Sequence, residues 1–397
     1  MKNQLLHTPE GVRDIYSEEC EKKLELQNRL HRVLGTYGYH SIQTPTFEFF
    51  DIFGKEIGTT PSKELYKFFD REGNTLVLRP DITPSIARCA AKYFVDEDMP
   101  IRLCYMGNTF INNNSYQGRL KECTQLGAEL IGDDSVDGDA EMISMTIESL
   151  KECGLKEFQI SVGHVDFFQG LMEAAGFDEE EELVIRELIA NKNYFGVEEE
   201  IAGYPLADNL KELFTMLGKL YNQASDFAEA KTAAMNYPKV YDALCRLEQL
   251  DAVLKLYQVD SYVTYELGML TDYHYYTGVI FAGYTFGSGE PIVKGGRYNN
   301  LLSHFGKDAA SIGFAFVVDQ LMTAIARQHI EIPTVHDTIL ILYTQNSQKT
   351  AVNQARSMRA EGKKVELMRQ NDSHNKAEYE NYAARNQIKE IIFMDGE

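Results

Sequence analysis

The periodicity of this chain changes three times along its length, and those changes limit the possible folds more than any single residue does. Up to about residue 170, helix and strand patterns alternate. Ser17 to Leu34 places Leu26, Leu30, Val33 and Leu34 on one helical face, and Gly35 and Gly38 punctuate its end. Ser41 to Phe50, with Ile42, Pro45, Phe47 and Phe49, predicts a strand that carries one proline. Asn74 to Leu78 predicts a strand running into a turn at Arg79-Pro80-Asp81. Ile101 to Tyr105 predicts another, with Leu126 to Ile131 as its return strand, and Asp139 to Glu152 a helix before a strand at Phe158 to Val162. From about Leu171 to Gln258 the apolar residues fall at helical spacing and strand signals are few, which predicts an inserted helical module. Acidic residues from Asp178 to Glu182 suit the start of a helix. Strands resume at Ser261, with a hairpin over Phe281 to Val293 turning at Gly287-Ser288-Gly289, then a strand joined to a helix from Ala309 to Ala326.

After a linker marked by Pro333, the rhythm changes again. Thr338 to Tyr343 is a continuous apolar run, as in a buried parallel strand. Helix (Gln348 to Ala360), strand (Lys364 to Met368), helix (Ala377 to Asn386) and strand (Glu390 to Phe393) follow, a βαβαβ unit. The expectation is an α+β core over residues 1–330, with a helical insertion at about 171–258, and a small α/β domain over 335–397.

The six cysteines are scattered, with no CxxC pair, so neither a zinc site nor a disulfide framework is indicated. No apolar run approaches the ~20 residues of a membrane span. The N-terminal residues lack the apolar stretch of a secretory signal, so a cytoplasmic protein is expected. The net charge of −21 opposes non-specific attraction to nucleic acid or to an anionic membrane, and no long run of lysine and arginine offsets it.

Four stretches carry possible chemistry. They are Leu78-Arg79-Pro80-Asp81-Ile82-Thr83, the segment from Phe110 to Glu129 (FINNNSYQGRLKECTQLGAE), Tyr275-Tyr276-Thr277-Gly278 and Gly295-Gly296-Arg297-Tyr298. Taken singly, each has a bland reading: a loop, a hairpin, or tyrosines packing across strands. The acidic run Asp133 to Glu141 mimics part of a calcium loop, but Ser144 stands where the bidentate glutamate belongs. No phosphate-binding glycine loop, dinucleotide fingerprint or metal-binding histidine spacing is present.

Together the stretches resemble the histidyl branch of the class II aminoacyl-tRNA synthetases. Phe110 to Glu129 is similar to the family's motif 2, with Gly118, Arg119, Glu122, Gln125, Gly127 and Glu129 keeping the frame. The helix and strand near the N-terminus resemble its dimer-forming motif 1. The resemblance implies an antiparallel sheet flanked by helices, with a shortened anticodon-binding domain as the tail. That tail has no surplus of basic residues to attract RNA. It also implies that Asp81, Thr83, Arg119, Gln125, Glu129, Tyr275, Tyr276 and Tyr298 line a site for free histidine. In the family, Asp81 and Thr83 match residues that hold the amino group, and Tyr276 and Tyr298 would wall the imidazole. Such a ligand calls for acidic acceptors and phenolic hydroxyls.

Three positions depart from the synthetase pattern. Arginines that contact ATP or assist adenylate formation there are replaced by Ile111, Thr271 and Gln320. None of these side chains can grip a phosphate as a guanidinium does. The cavity is therefore expected to be poor in cations and unable to activate an amino acid. The family has a non-synthetase branch of this kind, the regulatory subunits of ATP phosphoribosyltransferase. Membership would imply a short-form catalytic subunit as partner, L-histidine as effector, a homodimer within a larger hetero-oligomer, and no cofactor. A divergent but active histidyl-tRNA synthetase, or a free-standing paralog with another role, are the alternatives.

Overall fold

A computed structural model describes residues 6–54, 60–113, 120–271, 275–371 and 373–394. They form two compact units, Met1–Ile332 and Pro333–Glu397. The first begins with helix α1 (Ser17–Thr36), strands β1 (His40–Ser41), β2 (Phe47–Phe49), β3 (Lys67–Phe69) and β4 (Thr75–Leu78), and helix α2 (Thr83–Tyr93). A long hairpin, β5 (Ile101–Phe110) and β6 (Glu122–Ile131), leads to α3 (Val136–Glu152) and β7 (Phe158–His164). The helical stretch comprises α4 (Val165–Ala175), α5 (Glu179–Ala190), α6 (Tyr194–Ala202) and α7 (Asp208–Thr215). It continues through a two-residue strand β8 (Leu220–Tyr221), α8 (Ala228–Ala233) and α9 (Pro238–Leu256). Then come β9 (Val263–Glu266), β10 (Val279–Thr285), β11 (Val293–Arg297), β12 (Ser311–Val317) and α10 (Val318–Arg327).

The main sheet runs β1-β5-β6-β12-β11-β10-β7-β9-β8. From β5 to β7 every pairing is antiparallel. Two parallel pairs, β1 with β5 and β7 with β9, make the whole sheet mixed. The stretch Ser41 to Phe50, expected as one strand, is two. The β1 strand joins the main sheet, whereas β2 joins a separate antiparallel sheet, β2-β4-β3. Pro45 lies between them. Proline cannot donate to a ladder, which suits it to a break between strands.

Leu26, Leu30 and Leu34 of α1 are fully buried with Met142, Met145 and Leu150 of α3 in one core beneath the sheet. Alternation along β6 decides what faces that core. Leu126, Ala128 and Leu130 belong to it, so Gln125, Gly127 and Glu129 lie on the opposite face. The helix predicted from the acidic run at Asp178 is α5, opened by a capping box between Asp178 and Glu181. The predicted glycine turn joins β10 to β11, with Gly287 and Gly289 both at positive φ.

The second unit is β13 (Ile339–Tyr343), α11 (Gln348–Ala360), β14 (Val365–Arg369), α12 (Lys376–Arg385) and β15 (Glu390–Met394). Its sheet is parallel, in the order β14-β13-β15. Leu340 and Leu342 pack with Tyr379 of α12, and Ile341 packs with Ala351 and Ala355 of α11.

Candidate functional site

On the face of the main sheet away from α1 and α3 lies a cavity of about 420 Å³ of non-atom space, its open mouth included. Asp81, Thr83, Gln125, Glu129, Tyr275, Tyr276 and Tyr298 all line it. Seven of the eight residues expected from sequence therefore converge, from segments as far apart in the chain as Asp81 and Tyr298. The eighth, Arg119, lies outside the described residues.

Local structure explains the convergence. Asp81 closes the turn after β4, and its Oδ1 accepts from the Ile82 amide at 2.8 Å. Thr83 is the first residue of α2, and Pro84 follows it in the first turn, where its missing N–H costs nothing. The Thr83 hydroxyl donates to Glu129 Oε1 at 2.8 Å, and the Tyr298 hydroxyl donates to Oε2 at 2.6 Å. The Tyr275 hydroxyl donates to Asp81 Oδ2 at 3.2 Å. The Tyr275 ring meets those of Tyr276 and Tyr298 edge-on, with centroids 4.9 and 5.9 Å apart. Gln125 Oε1 is buried without a hydrogen-bond partner among the described residues.

Cross-strand register supplies the floor. Glu129 pairs with Gly313 of β12, which pairs with Gly296 of β11. A Cβ on Gly313 would sit 1.5 Å from Glu129 Oε2, and one on Gly296 would sit 2.8 Å from the Tyr276 ring. Both positions must lack a side chain for the acid and the ring to lie against the sheet.

Both carboxyls are buried, and burial pushes both up from the usual carboxylate range. Glu129 reaches about 8; the hydroxyls of Tyr298 and Thr83 oppose the shift, and the nearby Asp81 charge adds to it. Burial thus favours the protonated form of Glu129 at neutral pH.

The three substituted positions stand elsewhere. Ile111 extends the β5–β6 ladder, its amide bonded to the Lys121 carbonyl. Gln320 falls in the first turn of α10. Thr271 lines a neighbouring cavity, separated from the first by Tyr276, which lines both. One residue that the motifs did not point to is Lys294 of β11, which also lines the cavity. Sequence inspection passed over Lys294, Gly313, Ala315 and Val317, and the one available signal was the lysine directly before Gly295-Gly296-Arg297.

Arg297, between cavity residues in sequence, faces the other way. It binds Asp139 Oδ1 through two nitrogens at 2.8 and 2.6 Å, and it also reaches the Asp133 and Ser135 carbonyls. Arg246 of α9 takes the other oxygen of Asp139. The acidic run that mimics a calcium loop thus serves two arginines.

A family model described as histidyl-tRNA synthetase matches residues 11–321. A protein of Ruminiclostridium cellulolyticum described as an ATP phosphoribosyltransferase regulatory subunit is 40% identical over 99% of this chain and 93% of its own length. The crystal structure of an ATP phosphoribosyltransferase regulatory subunit/histidyl-tRNA synthetase from Bacillus halodurans superposes with a TM-score of 0.86 at 31% identity, covering 99% of each chain. The histidyl-tRNA synthetase of Nostoc sp. PCC 7120 shares the fold, with a TM-score of 0.79 at 18% identity over 96% of this chain and 90% of that one. The chain belongs to the family of histidyl-tRNA synthetase-like proteins that includes the ATP phosphoribosyltransferase regulatory subunits.

Proposed function

We propose that this protein is a non-catalytic regulatory subunit of ATP phosphoribosyltransferase, needed by a short-form catalytic subunit for the first step of histidine biosynthesis, and that its cavity binds L-histidine as the feedback effector. The observation that carries this is a pairing: a cavity rich in acids and phenols in a chain where Ile111, Thr271 and Gln320 replace the synthetase arginines, none of them offering a cation to a triphosphate. Losing even one such contact costs a catalytic site on the order of 10²-fold in rate, so three losses leave little adenylation.

The acids account for recognition. An ammonium beside Glu129 and Asp81 favours their charged forms. Histidine binding below about pH 8 therefore releases a proton from Glu129. Feedback follows if histidine binds one arrangement of the hetero-oligomer more tightly than another.

The same proposal includes a homodimeric core. Phe47, Phe49 and Phe68 share one face of the small sheet and are 51%, 55% and 37% exposed, an apolar patch of the kind that marks a protein contact surface. Residues 335–397 are taken as a shortened anticodon-binding-like domain, in keeping with their parallel sheet.

The test is co-purification with the short catalytic subunit, assayed with and without histidine. Complex formation, activity that requires this chain, and inhibition by histidine are expected. Asp81→Ala should relieve the inhibition while leaving the complex intact. Robust ATP–pyrophosphate exchange with histidine by the isolated chain would instead identify an active synthetase.

A further inference from the structure

The cavity floor has a second row beyond Glu129, Gly313 and Gly296. Two residues along the strands, Gly127 pairs with Ala315, Ala315 with Lys294, and Lys294 with Ala282. Three members of this row are glycine or alanine. The fourth is a lysine, and it is the one cation among the described residues lining the cavity. So long a side chain on an otherwise bare floor reaches into the space the small residues leave. At backbone level it stands one row and two strands from Glu129, roughly 12 Å by standard sheet spacings.

We propose that Lys294 holds the α-carboxylate of a free amino-acid ligand, and so restricts the site to the zwitterion. The inference deepens the histidine-site reading and rests on it. A ligand whose ammonium is drawn to Asp81 and Glu129 brings its carboxylate into the same enclosed space. A buried anion beside two acids is costly unless a cation meets it. Thr271 cannot provide one, and it lines the neighbouring cavity. A lysine also differs from an arginine in what it selects. Its compact ammonium on a flexible stem suits a single carboxylate, whereas the planar fork of a guanidinium suits phosphate. The site would then accept histidine and discriminate against derivatives without the carboxylate.

Calorimetric titration of the full chain with L-histidine and with L-histidinol, which lacks the carboxylate, tests this. The wild type should prefer histidine at least ten-fold. Lys294→Met should weaken histidine roughly ten- to hundred-fold, the range for a charge-assisted contact, and leave histidinol within about two-fold. Lys294→Arg should keep part of the preference. Thermal melts establish that the variants are folded, and Lys294→Gln gives the same comparison if the methionine variant is not. Unchanged histidine affinity in K294M, equal weakening of both ligands, or a preference abolished by Arg119→Met instead would each overturn the assignment. Equal wild-type affinity for the two ligands would overturn it as well, while sparing the histidine site. A wild type that binds neither ligand defeats the site reading itself, and Lys294's role with it.

Discussion

Two buried carboxylates on opposite faces of the same sheet are handled in opposite ways. Asp139 is fully buried and is gripped by Arg297 and Arg246. Burial raises its pKa, and the two guanidiniums oppose the rise. Glu129 is equally buried, but its hydrogen-bond partners among the described residues are neutral hydroxyls, those of Thr83 and Tyr298, and its pKa climbs to about 8. A carboxylate that exists to hold a fold together is neutralised by the fold. One left with neutral partners keeps the cost of burial, which a cationic ligand group would relieve.

The comparison breaks first at Glu129. Its folded pKa of about 8 exceeds the ordinary 4.5. Between those values the folded state keeps a proton that the unfolded state has lost, so stability falls as pH rises through that window and is level above it. The gap corresponds to at most about 5 kcal/mol. Urea denaturation at about pH 5, 7 and 9 should show the wild type losing several kcal/mol relative to Glu129→Gln. Parallel profiles would mean that Glu129 is ionised in the folded cavity.

Arg297→Met should come next, at about 3–5 kcal/mol, since it strips a buried acid of its main partner. Denaturation midpoints at neutral pH give the value. A loss under 1 kcal/mol would make Asp139 as tolerant as Glu129, and the contrast would vanish. Gly313→Ala sharpens the cavity side. Its Cβ would displace the Glu129 carboxyl, and histidine binding measured by calorimetry should weaken roughly ten-fold or more. Arg246→Met should have the smallest effect, about 1 kcal/mol or less in the same denaturation assay, because Arg246 is partly exposed and Arg297 still holds Asp139.

Much of this was legible in the sequence because it is local. The α11 helix has its predicted ends, Gln348 and Ala360, because apolar spacing and the following Gly362 are short-range signals. The acids and tyrosines of the cavity were legible for another reason: they sit in motifs shared with a known family. The floor was not. Gly313 opposes Glu129 only through the β6–β12 register, and Lys294 joins the lining only through pairing of β11 with β12. Register is set by contacts between distant segments, which no short window contains. The parallel pairs β1–β5 and β7–β9 were missed for the same reason. The role of the Asp133 to Asp139 run was hidden because its partners, Arg246 and Arg297, lie more than 100 residues downstream.

Asp139 also fastens two parts of the chain that are far apart in sequence. One oxygen anchors Arg297, whose neighbour Tyr298 touches Glu129; the other anchors Arg246 on the longest helix of the insertion. That carboxylate therefore ties α9 of the insertion to the strand end that carries Tyr298, so the inserted helices and the tyrosine wall share one buried ionic rivet.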